Sequence, residues 1–143
     1  MKKENETINE ILRGEISAQE SYKQVMDKIE SDPESIRLKS FLEDHTEAVK
    51  FWKAQARGEY MQPQTDSGAW GTAVQAFVGT SKLLGNTNAL RALKVGEEIG
   101  LNNYKKMLND DELLPSHKET IRSKFIPKQE MHINSLNAMM EIQ

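Results

Sequence analysis

One carboxylate constrains this chain more than any other residue. In the segment Leu90 to Leu108, LRALKVGEEIGLNNYKKML, residues Leu90, Leu93, Leu101, Tyr104 and Leu108 share one face at about 100° per residue, and Glu97 stands in the middle of it. A helix with that stripe buries it, and the carboxylate goes in with it. A charge taken out of water is costly unless it is paired, hydrogen-bonded or bound to a metal. Glu97 therefore demands polar partners from other helices at its own depth.

The rest of the chain is helical in pattern. From about residue 5 to 30, Ile8, Ile11, Leu12, Tyr22, Val25, Met26 and Ile29 recur at helical spacing; Glu15 and Gln19 fall on the same face, while Glu20 points off it. Ser31-Asp32-Pro33-Glu34 ends this helix and starts the next, because Asp caps and Pro fits a first turn. That second helix runs to about Arg57, with Leu38, Phe41, Leu42, His45, Val49 and Trp52 inward. The segment EYMQPQTDSGAWG predicts a loop, and a shorter helix over 67–83 follows, capped by Thr65, Asp66 or Ser67 and striped by Trp70, Val74, Phe77 and Val78. Gly85-Asn86-Thr87-Asn88 recaps the chain, and the Glu97 helix runs from there to about Asn109. After a turn ending at Leu114-Pro115, the last helix spans about 116 to 141 with Ile121, Phe125, Leu136 and Met139 inward, and Pro127 should bend it. On the same inward face sit Gln129 and His132.

Depth ties these residues together. Gln19 and His45 each lie about a dozen residues from the first turn, so at 1.5 Å rise per residue they reach similar levels. Glu97 lies about a dozen residues before the second turn, and Gln129 and His132 about fourteen to seventeen after the last helix begins. One antiparallel pair thus offers Gln19 or Glu15 with His45, and the other offers Glu97 with Gln129 and His132.

The arrangement resembles the ferritin-like superfamily, an all-α antiparallel four-helix bundle with a long crossover between helices two and three. Its dimetal site takes a Glu from each of two helices and Glu-x-x-His from each of the others. Carried over by position, the resemblance implies Gln19 where Glu is expected, Leu42-Glu43-Asp44-His45 with Leu42 in place of Glu, a retained Glu97, and Gln129-Glu130-Met131-His132. Gly96-Glu97-Glu98 followed by Tyr104, Gln19-Glu20-Ser21-Tyr22, and the Gly/Trp-bearing crossover from Ser67 to Phe77 are similar to a bacterial four-helix-bundle family named only as a domain of unknown function. The crossover carries Val74 and Gln75 where that family has a His-Arg pair.

Charge arithmetic separates the readings. Two divalent metals bring four positive charges; Glu97 alone would leave three uncompensated in a low-dielectric core, and Glu15 would still leave two. A single ion is easier, and two His with one Glu suit Zn, Fe(II) or Mn. The leading expectation is a non-catalytic bundle with a degenerate dimetal site, in which Glu97 accepts hydrogen bonds from His45, His132, Gln19 or Gln129 and the protein acts structurally or through its surface. The alternative is a mononuclear metal-binding or redox protein using His45, Glu97 and His132. Tyr22 and Tyr104 read as core residues with a hydroxyl partner, His117 as a solvated residue near a helix start, Met107, Met131, Met139 and Met140 as gap-filling core, and Glu43, Asp44 and Glu47 as an exposed acidic face that also offers an alternative weak cation site.

Composition bounds the remainder. A length of 143 residues with no shift in composition predicts one domain over 1–143. Charged residues make up 29% with a net charge of −3 and both signs interspersed, which argues against nucleic acid. No apolar run approaches a membrane span and MKKENETINE has no signal-peptide core, so a cytoplasmic protein is expected. With no cysteine, any metal must use His, Glu, Asp or Gln. No phosphate-cradling Gly motif or Gly-x-Ser-x-Gly elbow is present. A homo-oligomer or protein partner would use the 67–83 crossover helix, whose stripe is core if covered and interface if exposed.

Overall fold

The computed structural model describes residues 2–26, 32–56 and 86–142. Among them every regular element is helical: α1 (Lys2–Met26), α2 (Asp32–Gln55), α3 (Asn86–Met107), α4 (Pro115–Thr120), a π-helical segment π1 (Ile121–Phe125) and α5 (Ile126–Ile142). The last three follow without a break and form a fourth rod. The expected crossover helix over 67–83, with Trp70, Val74, Phe77 and Val78, lies outside the described residues.

The rods pack as two pairs, α1 along α2 and α3 along the fourth rod, with α1 also against α3 and α2 touching α5. Their directions follow from who meets whom. Tyr22 late in α1 bonds Glu97 in mid α3, whereas Glu15 meets Tyr104 and Thr7 meets Asp110, so α3 runs antiparallel to α1. Leu114 donates its backbone N–H to Glu4, which starts the fourth rod beside the beginning of α1. Helices α2 and α3 therefore run the same way, so the end of α2 and the start of α3 lie at opposite ends of the bundle.

Two apolar clusters hold the rods together. One, at the Ile8 end, gathers Ile8, Leu12, Val49, Trp52, Leu113, Ile121 and Phe125; the other gathers Tyr22, Val25, Leu38, Phe41, Leu90, Leu93, Leu136 and Met139. Burying one such side chain stabilises by about 1.5–3 kcal/mol, which makes these layers the main source of cohesion. Between them lies a polar layer of Glu15, His45, Glu97 and His132, each 5% exposed or less. The apolar clusters flank this layer on both sides.

The fourth rod departs from a plain α-helix for a reason visible in its spacing. Leu113, His117, Ile121, Phe125 and Gln129 are all buried and each is four residues from the last. At 3.6 residues per turn, three such steps from His117 would drift about 120° off the face. The π turn rotates less per residue, and its i→i−5 bond from Ile126 N–H to the Ile121 carbonyl keeps the row facing inward. Pro127 follows at once, so the irregularity expected of that proline takes the form of a wider turn before it.

Two sequence expectations are corrected here. His117 is buried, edge-on to Phe51 and Trp52, with Nε2 3.0 Å from Gln55 Oε1, because the row of four-residue steps carries it under the end of α2. Its Nδ1 stands 3.5 Å from Glu4, too long for a hydrogen bond. Met131, grouped with core methionines, is 43% exposed, one position short of the buried His132.

Candidate metal centre

Each rod brings one carboxylate or imidazole to the polar layer. Glu15 comes from α1, His45 from α2, Glu97 from α3 and His132 from α5; ligand atoms of His45, Glu97 and His132 all lie within 4.8 Å of one another. Atoms bonded to one tetrahedral ion at about 2.0–2.2 Å lie roughly 3.3–3.6 Å apart, so these three would shift by about half an ångström to an ångström to hold one.

The bonding runs as a chain across the layer. Glu97 Oε2 accepts from the Tyr22 hydroxyl at 2.5 Å and faces His45 Nε2 at 2.8 Å and His132 Nδ1 at 2.9 Å. The far nitrogens are held as well. His45 Nδ1 is 2.6 Å from Glu15 Oε1, and His132 Nε2 is 2.8 Å from Asp44 Oδ2. All four contacts are hydrogen bonds together only when both nitrogens of each ring carry protons, since a neutral imidazole donates from one. The other carboxylate oxygen, Glu97 Oε1, is buried with no partner.

Electrostatics follow from that geometry. Burial pushes the Glu97 carboxyl up, but the His45 charge and the hydrogen bonds from His132 and His45 outweigh it and hold the group at about 2. Burial pushes the His45 imidazolium down, yet the flanking Glu97 and Glu15 carboxylates raise it well above its ordinary value. Tyr22 and Tyr104 are raised by burial and by Glu97 and Glu15 respectively, so both phenols stay protonated and donate. The Tyr104 hydroxyl donates a hydrogen bond to Glu15 Oε2 at 2.7 Å and accepts one from the Trp52 indole N–H at 3.1 Å, matching the expectation of tyrosines with hydroxyl partners.

The sequence-derived candidates divide. His45, Glu97 and His132 meet as expected. Of the two α1 options, Glu15 reaches His45, while Gln19 is turned to Thr46 Oγ1 at 3.0 Å. Gln129 is buried one turn before His132, and its carboxamide lies over Gly100 without a hydrogen bond to the layer. Asp44 was missed, and its assignment to an exposed acidic face is corrected. Glu43 and Glu47 are exposed, but Asp44 is part-buried between His132 and Lys128, whose Nζ is 2.9 Å from its other oxygen. Burial raises the Asp44 carboxyl, and the His132 and Lys128 hydrogen bonds more than offset this and lower it. Adjacency to His45 was the available signal: a residue next to an inward-facing one points about 100° away, toward whichever rod packs on that flank.

No protein-family model, curated protein or solved structure matches this chain.

Proposed function

We propose that this chain is a divalent metal-binding helical bundle of ferritin-like arrangement, reduced from a two-metal to a one-metal site, with His45, Glu97 and His132 as ligands. The single observation that carries the reading is the orientation of both histidines. Each turns one nitrogen toward Glu97 and has the other held by a carboxylate, Glu15 for His45 and Asp44 for His132. That is the outer support that fixes a metal-bound imidazole's tautomer and raises its basicity. The unpartnered Glu97 Oε1 adds a buried acceptor in need of a cation or donor.

Charge supports one ion. Glu15 and Glu97 together balance a single divalent cation, and Asp44 is already matched by Lys128. A second ion would put two further positive charges into the same dry layer. Zn, Fe(II) and Mn(II) all suit two imidazoles and a carboxylate, and three protein ligands leave at least one position for water or a small molecule. When bound, such an ion supplies Lewis acidity to whatever occupies that position. The chain's own residues orient the imidazoles and flank the layer with two apolar clusters, and binding would release to solvent the proton on each metal-facing nitrogen.

A second reading has its own observation. Glu97 Oε2 already faces three donors, which is a satisfied polar network able to set helix register without metal. Elemental analysis of untagged protein, before and after incubation with Fe(II), Mn(II) or Zn(II) and removal of excess, separates the two. The metal reading expects about one ion per chain, lost in His45→Ala and His132→Ala while circular dichroism stays helical. No retained ion in the wild type, or full occupancy in both variants, would leave the register network as the account.

A further inference from the structure

Three glycines stand in helix interiors, Gly14 in α1 and Gly96 and Gly100 in α3, where glycine weakens a helix relative to alanine. All three line one cavity of about 510 Å³ between α1, α3 and α5, within the range of small-molecule sites. Close packing among the described residues does not account for two of them: a Cβ at Gly14 or Gly96 would meet no described atom within 4 Å. Gly100 differs, since a Cβ there would come within 2.7 Å of Gln129 Nε2. One glycine makes room for the Gln129 carboxamide, and the other two leave open width.

Gln129 independently points to an occupant. It lines the same cavity, is only 5% exposed, has no partner for Oε1, and its side chain makes no hydrogen bond with any described residue. A buried carboxamide left so incurs the desolvation penalty of its polar atoms without a hydrogen bond to offset it. Ile11, Ala18 and Met107 give the wall its apolar surface, and Glu15, Asn103 and Tyr104 line it too. At the mouth stand Arg13 and Lys106, both exposed and in no ion pair with a described residue, with Glu10 and Asp110 also on the rim.

We propose that this cavity binds a small, largely apolar organic acid bearing a hydroxyl or amide at its inner end. The inner group both gives and accepts a hydrogen bond, as a carboxamide partner requires. The body rests on Ile11 and Met107, and the acid turns to Arg13 and Lys106, away from the rim carboxylates. Glu15 and Tyr104 belong to both the cavity wall and the polar layer, so the ligand lies against the side of the centre described above.

Binding is tested on metal-free full-length protein, which keeps the outcome separate from the metal reading. Calorimetry with 4-hydroxybenzoate and 4′-hydroxybiphenyl-4-carboxylate is compared with benzoate and biphenyl-4-carboxylate, which lack the inner hydroxyl, and with 4-hydroxybenzyl alcohol, which lacks the acid. Saturable one-to-one binding of at least one hydroxy acid is expected, about tenfold tighter than its comparators. Gly14→Leu and Gly96→Leu add a helix-favouring side chain into open space, so they fold and abolish binding. Gln129→Leu equalises the hydroxy acid with its unhydroxylated comparator. Failure of every probe to bind overturns the proposal. So does binding that survives both leucine substitutions.

Discussion

Glu97 is the residue on which the protein's pH response turns. In the metal-free protein its carboxyl is held at about 2 against an ordinary 4.5. A depressed acid contributes stability that is present above its unfolded value and lost as pH falls through the folded one, so the loss falls between about pH 4.5 and 2. The shift corresponds to roughly 3 kcal/mol, and the raised His45 reflects the same interaction from the other side and is counted once. The sign for His45 is opposite: its contribution is present below its unfolded value and fades as alkali removes the proton from the folded ring. Urea denaturation of metal-free protein at pH 6 and pH 3 is expected to show a drop of a few kcal/mol that Glu97→Gln removes. At pH 6 that variant should itself be less stable by about 3–5 kcal/mol, because the histidines it leaves behind are buried. An unchanged pH response in Glu97→Gln would move the acid sensitivity elsewhere.

At the scale of the element, the fourth rod is the informative one. Proline inside an α-helix costs about 3 kcal/mol, through a lost hydrogen bond and a clash with the preceding turn. Pro127 sits just after the π turn, whose i→i−5 bonding widens the backbone in front of it, and in the first turn of α5. Replacing Pro127 with Ala is therefore expected to change stability by less than about 1 kcal/mol, measured by urea denaturation. A gain near 3 kcal/mol would mean that the proline is strained where it stands. The same segment sets the geometry of the polar layer, since without the wider turn the inward row would rotate His132 away from Glu97.

For the whole molecule, the polar layer lies between two apolar clusters and receives a side chain from each rod, so an ion held by His45, Glu97 and His132 would tie three rods directly and α1 through the Glu15–His45 contact. An ion that binds only the folded chain, at a hundredfold its Kd, adds about 2.7 kcal/mol. For a domain of this size that raises Tm by roughly 5–12 °C. A thermal scan with and without Zn(II) should show this rise in the wild type and none in His132→Ala. A rise of equal size in the variant would place the ion somewhere other than the layer.

Periodicity determined which residues point inward along each helix, because burial selects a face every 3.6 residues and the sequence carries that face directly. It was sufficient for the all-helical class, for the burial of His45, Glu97, Gln129 and His132, and for placing the polar residues at one depth. It could not choose between Glu15 and Gln19, which lie one turn apart on the same face of α1. Only the sliding register of α1 on α2 brings Glu15 to His45 and Gln19 to Thr46. Asp44 and His117 were beyond it for a related reason: each is buried by what packs on its flank, α5 for Asp44 and the end of α2 for His117, and a single helix's pattern does not say which flank is covered. The cavity beside Gln129 is tertiary too, since Gly14, Gly96 and Gly100 become neighbours only when α1 and α3 pack antiparallel.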